Sequence, residues 1–519
     1  MNAAHPSEID HTPPKAGHRE WIGLGVLALA CLVYAMDVTV LNLAVPSLSA
    51  DLRPTGTQLL WILDIYGFVV AGSLVTMGTL GDRIGRRRLL LIGAAAFAAA
   101  SVLAAFSTSA GMLIATRALL GVAGATLAPG TLSLIRNMFL DPAQRTVAIG
   151  IWISSFSAGG AIGPLLGGLL LERFWWGSVF LLAVPVMLLL LVLGPLLLPE
   201  FRDPAAGRLD LASAALSLVA VLPVIFGLKQ VAEGGVGWLP ALSILVGLVA
   251  GALFIRRQRT LTDPLLDLGL FANGAFATSL AVYTIGAFIA FGSFVFIAQY
   301  LQLVLGLSPL QAGLWTLPSA VAFILGSMLA PPIVRRFRPV SVIAGGLLVA
   351  AFGFALLTRV GSGGGLALLT AANVLLSLGV AAVFTLATDL VVGSAPAERA
   401  GAASAISETG AELGGALGVA VLGSIGAALY RRQMGGAIPA ELPVEAAAAA
   451  RDTLGGAVAA ADLLPLPLAD ALLGAARAAF VQGVHLTAAI SVVLAVAAAV
   501  LAVLGLRRVG LAGSPDAGV

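Results

Sequence analysis

Very little in this chain carries charge or reactive chemistry. Only 10% of its 519 residues are Asp, Glu, Lys or Arg, against about 25% in ordinary soluble domains; so little charge cannot dress a water-facing surface. The one cysteine, Cys31, lies inside an apolar stretch, which excludes a disulfide within the chain. Three of the four histidines, His5, His11 and His18, fall in a polar N-terminal tail, leaving His485 alone. No metal site and no Ser/His catalytic set can be built from these, so the chain reads as a non-enzyme without a cofactor. The phosphate-binding pattern GxxxxGK[ST] is also missing, which argues against direct drive by ATP. The basic residues give a net charge of +3 and a pI near 9.3, but they are scattered through short segments, which argues against a nucleic-acid partner.

What is present is apolar. Hydrophobic residues make up 59% of the chain, the mean hydropathy is +1.04, and there are 62 glycines. A bilayer supplies the solvent such a chain needs, and helices in lipid associate through small residues. A spanning helix takes about 20 apolar residues. Runs of that kind lie at 21–45, 58–80, 88–107, 111–136, 145–170, 178–198, 208–229, 238–256, 275–303, 311–335, 340–359, 366–391, 401–430 and 481–507. No cleavable leader is read at the start, because the first apolar run, at about 25 residues, is too long for a signal-peptide core.

The charges test this count independently. With the N-terminus inside, the inner segments hold 19 Lys/Arg and the outer ones 8, four of these in the long segment 431–480; Arg117 remains inside a span. Losing one helix would scramble the alternation, so the positive-inside principle favours fourteen spans with both termini cytoplasmic. An internal echo adds to this: Arg145 leads into Gly159-Gly160-Ala161-Ile162-Gly163, and Arg399 leads into Gly414-Gly415-Ala416-Leu417-Gly418. The expected architecture is an all-α membrane protein of 14 transmembrane helices, arranged as two duplicated six-helix bundles plus two inserted helices. The divisions are an N-terminal tail at 1–20, a first bundle at 21–200, linker helices at 201–260, a second bundle at 261–507 that includes an external loop at 431–480, and a tail at 508–519. The loop, with Pro439, Pro443, Pro465 and Pro467 among Ala-rich pieces, is expected to carry one or two short amphipathic helices.

The ionisable residues inside the spans carry the functional reading. A carboxylate at membrane depth costs on the order of 3 kcal/mol, so it is functional by default. Asp37 lies in span one, Asp64 in span two, Asp389 near the inner end of span twelve, and Glu408 and Glu412 share one face of span thirteen, four residues apart. Desolvated carboxylates let a proton and an organic cation compete for one place. Tyr34 and Trp61 each precede an acid by three residues, which sets an aromatic face beside it for a flat cation.

Four motifs stand in order on successive spans. Span one carries Asp37-Val38-Thr39-Val40-Leu41-Asn42-Leu43-Ala44-Val45-Pro46, and spans two and three are joined by Gly78-Thr79-Leu80-Gly81-Asp82-Arg83-Ile84-Gly85-Arg86-Arg87-Arg88. Span four carries Arg117-Ala118-Leu119-Leu120-Gly121, and span five the series Gly150, Gly159, Gly163-Pro164, Gly167-Gly168. Together these resemble the fourteen-helix drug:proton antiporter branch of the major facilitator superfamily, which includes quaternary-ammonium and fluoroquinolone exporters. The resemblance implies a monomeric bacterial cytoplasmic-membrane antiporter that exchanges protons for cationic or amphipathic drugs, driven by the proton gradient. It implies proton coupling at Asp37, Glu408 and Arg117 and cargo recognition at Asp64 and Glu412, with Tyr34 and Trp61. The Gly78, Asp82, Arg83, Gly85 and Arg86 loop would steady one access state, with Arg136 as the expected partner of Asp82, and the span-five glycines mark an exporter. Span ten offers Ala320-Val321-Ala322-Phe323 without an acid, which puts dications in doubt. Export of an endogenous metabolite or antibiotic is the alternative.

Overall fold

The computed structural model describes residues 14–54, 56–202, 210–234, 237–261, 264–362, 364–439 and 441–507. Fourteen of its helices are long and apolar enough to cross a membrane. The first bundle holds α1 (His18–Leu52), α2 (Gly56–Ile84), α3 (Arg86–Ala105), α4 (Ala110–Met138), α5 (Pro142–Arg173) and a sixth span broken into α6 (Ser178–Leu181) and α7 (Ala183–Leu197). An inserted hairpin follows, α8 (Leu211–Gly234) and α9 (Trp238–Gln258). The second bundle holds α10 (Gly274–Gln299), α11 (Pro309–Val334), α12 (Pro339–Leu357), α13 (Leu366–Gly393) and α14 (Ala400–Met434). Two short helices, α15 (Val444–Asp452) and α16 (Leu454–Ala461), then precede the last span, α17 (Leu466–Leu506). Short polar links start the spans: the Asp141 side chain accepts from Gln144 N at 2.8 Å with Pro142 behind it, and Ser308 and Gln311 form a capping box ahead of α11, the preferred chemistry for a helix N-terminus.

Inside each bundle the same pairing recurs. α5 lies on α1 and α14 lies on α10, in both cases along glycines. A Cβ built on Gly159 would stand 2.2 Å from the Leu32 carbonyl oxygen of α1, and one on Gly418 would stand 2.1 Å from the Phe288 carbonyl oxygen of α10. With lipid tails as apolar as the helices, such close backbone approach and its dispersion contact supply the attraction. The bundles meet along two seams, α2 against α14 and α5 against α11, which the duplication relates to each other. α8 lies against both α2 and α14 and so covers one seam: Trp61 stacks on Phe226, and Thr76 and Ser217 share a hydrogen bond of 3.3 Å. Behind it α9 turns outward, with Leu245 and Leu248 56% and 61% exposed.

The segment 431–480 departs from the sequence expectation at both ends. α14 continues to Met434, and the last span starts at Leu466 instead of 481, as a single 41-residue helix. Its Ala469–Phe480 stretch is rich in the strongest helix former, so the helix runs on. Two short helices occupy the remaining loop.

Candidate functional site

Arginines gather at the end where α1 begins and α17 finishes, here called the basic end. There the loop after α2 is bent at Gly85, whose φ is +111°, a conformation glycine adopts without strain. The bend folds Arg86 back on Asp82, giving a 2.7 Å pair that is almost wholly buried. The other donors to Asp82 come across the seam: Gly401 N at 3.1 Å and Ala402 N at 3.0 Å. Asp82 therefore caps the first turn of α14, where free N–H groups and the helix dipole favour a negative charge. Arg86 also donates to the Ala397 carbonyl at 2.8 Å and lies 4.8 Å over the Phe201 ring. Gly78 makes room for this crossing, since a Cβ on it would stand 2.5 Å from the Gly401 carbonyl oxygen. Arg83 is half-buried beside this cluster.

The expected pairing of Asp82 with Arg136 is not what the structure has. The turn at Gly85 delivers Arg86 first, and α14 takes the remaining acceptor positions. Arg136 lies half-buried at the end of α4, its Nε without a hydrogen-bond partner, within electrostatic reach of Arg145 and Asp389. Asp389 is not part of the interior acid series either. It accepts from Arg145 Nε at 2.6 Å and from Thr146 Oγ1 at 2.6 Å, a second clasp that joins α13 to α5. The bundles are thus fastened at the basic end.

Midway along the spans a second group forms. Arg117 of α4, 1% exposed, donates through Nη1 to Asp37 at 2.5 Å and through Nε to the Ile62 carbonyl at 3.2 Å. Its guanidinium lies over two rings, 4.7 Å from the centre of Tyr66 and 5.9 Å from that of Phe180. A cavity of about 10 Å³, room for roughly one water, borders Asp37 between Val33, Val40, Phe180 and Ala183. Tyr34 lies 6.0 Å from Tyr66 and 5.9 Å from Phe156, ring centre to ring centre. From the other bundle, Glu408 and Glu412 both reach Tyr34 electrostatically, and both reach Tyr283 of α10. Glu408 Oε1 is buried without a hydrogen-bond partner, while Glu412 is exposed. Asp37, Tyr34, Glu408 and Glu412 are therefore brought together from two bundles.

Trp61 is not brought to this cluster. Five residues before Tyr66 it sits about 140° around the helix, stacked on Phe226 of the inserted hairpin and edge-on to Phe68. Asp64, one turn on from it, is half-buried on α2. On α5, Gly159, Gly163 and Gly167 face α1 while Gly150 faces the Ser327 carbonyl of α11, and Gly160 and Gly168 meet nothing within 4 Å; Pro164 lies within the helix. One helix thus serves both its own bundle and a seam. Sequence reasoning passed over Tyr66, Tyr283, Arg145 and Thr146. The signal available for the first two was scarcity: of only five tyrosines, Tyr34, Tyr66 and Tyr283 gather here. Among the described residues no group of three His, Cys, Asp or Glu side chains could hold a metal ion.

The sequence pattern of the Major Facilitator Superfamily matches residues 27–419. The chain is 48% identical over 502 residues to the multidrug efflux pump LfrA of Mycolicibacterium smegmatis, covering 96% of this chain and 99% of that one. It is 36% identical over 470 residues to the methyl viologen resistance protein SmvA of Salmonella typhimurium, covering 89% and 93%. It is 33% identical over 505 residues to the tetracenomycin C resistance and export protein of Streptomyces glaucescens, covering 96% and 94%. Among solved structures, the human organic anion transporter MFSD10 superposes with a TM-score of 0.58 at 18% identity, over 93% of this chain and 100% of that one, a likeness of fold.

Proposed function

The chain belongs to the Major Facilitator Superfamily, and from that premise we propose that it is a proton-coupled antiporter that exports cationic and amphipathic drugs by alternating access. It is a multi-pass membrane transporter with similarity to efflux and resistance proteins across nearly its whole length. The observation that carries the finer reading is the convergence of Asp37 and Glu408 from opposite bundles on one aromatic cluster, with a buried Glu408 oxygen left without a partner. An unpartnered oxygen in a low-dielectric interior gains from a proton or from an organic cation, and cannot hold both at once. That exclusion is what exchange requires. Asp37 takes a proton while Arg117 holds it in register, Glu408 exchanges a proton for the cargo cation, and Glu412 with Tyr34 completes the cargo site.

The basic end is the cytoplasmic end in this reading, with both termini there, in a bacterial cytoplasmic membrane. The clasps Asp82–α14 and Asp389–Arg145 hold that end shut, so the molecule is poised to release cargo outward. It works as a monomer, and the proton gradient is its only energy source. Quaternary ammonium compounds, planar dyes and fluoroquinolones are the cargo classes that suit acids beside aromatic faces.

The test is purified protein in liposomes under an imposed pH gradient, with ethidium movement and internal pH followed together. Wild type moves the dye with the gradient and releases protons in return; Asp37→Asn and Glu408→Gln abolish the exchange. Dye movement that is unchanged when the gradient is collapsed, or by both substitutions, defeats the reading.

A further inference from the structure

Tyr66 stands where the proton pair and the cargo cluster meet. One ring face carries the Arg117 guanidinium at 4.7 Å, and the carbonyl of Ile62, four residues earlier on the same helix, accepts from Arg117 Nε at 3.2 Å. α2 therefore fixes Arg117 twice over, independently of Asp37. Tyr34 is a second neighbour of the ring, 6.0 Å away centre to centre and tilted by 50°. Both rings lie over a single glycine of α4: a Cβ on Gly124 would stand 3.0 Å from the Tyr66 hydroxyl and 3.3 Å from Tyr34 Cε2. The Tyr66 ring is 2% exposed, yet its buried hydroxyl has no hydrogen-bond partner, a condition rare enough to need a cause. The titratable and charged groups around it are Tyr34 and Asp37 of α1, Arg117 of α4 and Glu412 of α14, with Glu408 one turn from Glu412; α6 and α7 contribute only the Phe180 ring and no titratable residue.

We propose that Tyr66 is the positioning residue that transmits protonation at Asp37 to the cargo site: it keeps Arg117 in place when the carboxylate partner is lost and, with Tyr34, walls the space the cargo cation occupies. This rests on the proton-antiport reading above. With Asp37 ionised, the Arg117 charge is balanced within the pair. When Asp37 takes a proton, that balance is gone, but the ring and the Ile62 carbonyl still hold the guanidinium where it was. An uncompensated positive charge then faces the cargo site through one aromatic ring, in a medium that screens poorly, and repels a bound cation. The orphaned hydroxyl marks the edge of the ring that cargo meets. This repulsion adds to the competition of proton and cargo at the Glu408 oxygen.

Binding of tetraphenylphosphonium to the purified full chain, measured by titration calorimetry near pH 5.5 and pH 8.5, tests this. Wild type binds about tenfold more weakly at the lower pH, a coupling of ordinary size for linked sites. Tyr66→Phe keeps the ring and keeps that ratio. Tyr66→Leu still binds at the higher pH, but its ratio falls to that of Asp37→Asn, about threefold or less. Tyr66→Met, without a ring but of similar length, replaces the leucine variant should the latter melt early. A leucine or methionine variant that keeps the wild-type ratio while Asp37→Asn loses it overturns the role of Tyr66, as does a phenylalanine variant that behaves like leucine. A wild-type protein with no pH ratio overturns the antiport reading itself, and an Asp37→Asn variant that keeps the full tenfold ratio overturns Asp37 as the coupling site.

Discussion

Arg145 of α5 reaches across the seam between the bundles to Asp389 of α13, Nε to carboxylate at 2.6 Å, with both side chains nearly nine-tenths buried. The pair joins α5 to α13 at the basic end, so in the proposed cycle it favours the state closed there. Removing one partner of a buried pair costs about 3–5 kcal/mol, and here that cost falls on one conformation only. Asp389→Asn is expected to shift the population toward an open basic end by on the order of a hundredfold or more. Spin labels at the exposed positions 88 and 338 should report longer separations in the variant; an unchanged distribution would show that the clasp does not set the balance.

Two neighbouring glycines of α5 make a matched pair for a second experiment. A methyl on Gly159 would meet the Leu32 carbonyl oxygen at 2.2 Å, whereas one on Gly160 meets nothing within 4 Å. Gly159→Ala is expected to prise α5 from α1 beside Asp37, lowering transport tenfold or more, about 1.4 kcal/mol in the barrier. Gly160→Ala should transport normally. Equal effects of the two substitutions would mean that helix propensity, not close approach, explains the glycines.

The two candidate aromatics are expected to part company. Tyr34→Ala removes a ring within electrostatic reach of Glu408 and Glu412 and should weaken cation binding by about 1–2 kcal/mol. Trp61→Ala removes a stack against Phe226 and should leave affinity within twofold while loosening the inserted hairpin, read as a lower melting temperature. A large affinity loss in the tryptophan variant alone would reverse this assignment.

At the foot of that hairpin, hydrogen bonds from Arg257 hold the Asp210 carboxyl well below the usual carboxylate range, helped by Ser213. A lowered folded-state pKa means the contribution is complete above the unfolded value, about 3.9, and is lost only as pH falls through the lower folded value. The difference in melting temperature between wild type and Asp210→Asn should therefore be the same at pH 5.5 and 7.5. A difference that shrinks between those values would contradict the pairing.

Much of this architecture could be read before any coordinates, because apolar length and the alternation of loop charge are properties of a single helix and its ends. What escaped depended on partners distant in sequence. Asp82 has its charge partner, Arg86, four residues on, but its other donors, the N–H groups of Gly401 and Ala402, lie about 320 residues away. Trp61 has the same three-residue offset to an acid as Tyr34, yet α8 claims it, and only the placement of the hairpin decides between them. Tyr66 is marked in its apolar run only by the scarcity of tyrosine. Its place over Arg117 arises from the crossing of α2 on the α4 glycines Gly121 and Gly124. The last helix overran its expected start for the opposite reason, since alanine favours helix whether or not lipid surrounds it.

The hairpin also leaves the two flanks of the molecule unequal. α8 screens the α2–α14 flank, while on the other flank Leu165 and Leu169 of α5 and Leu325 and Leu329 of α11 remain open to the surrounding hydrocarbon. Two junctions built on a common plan therefore meet the bilayer differently: one is sheathed by an extra helix pair and the other presents its own leucines to the acyl chains.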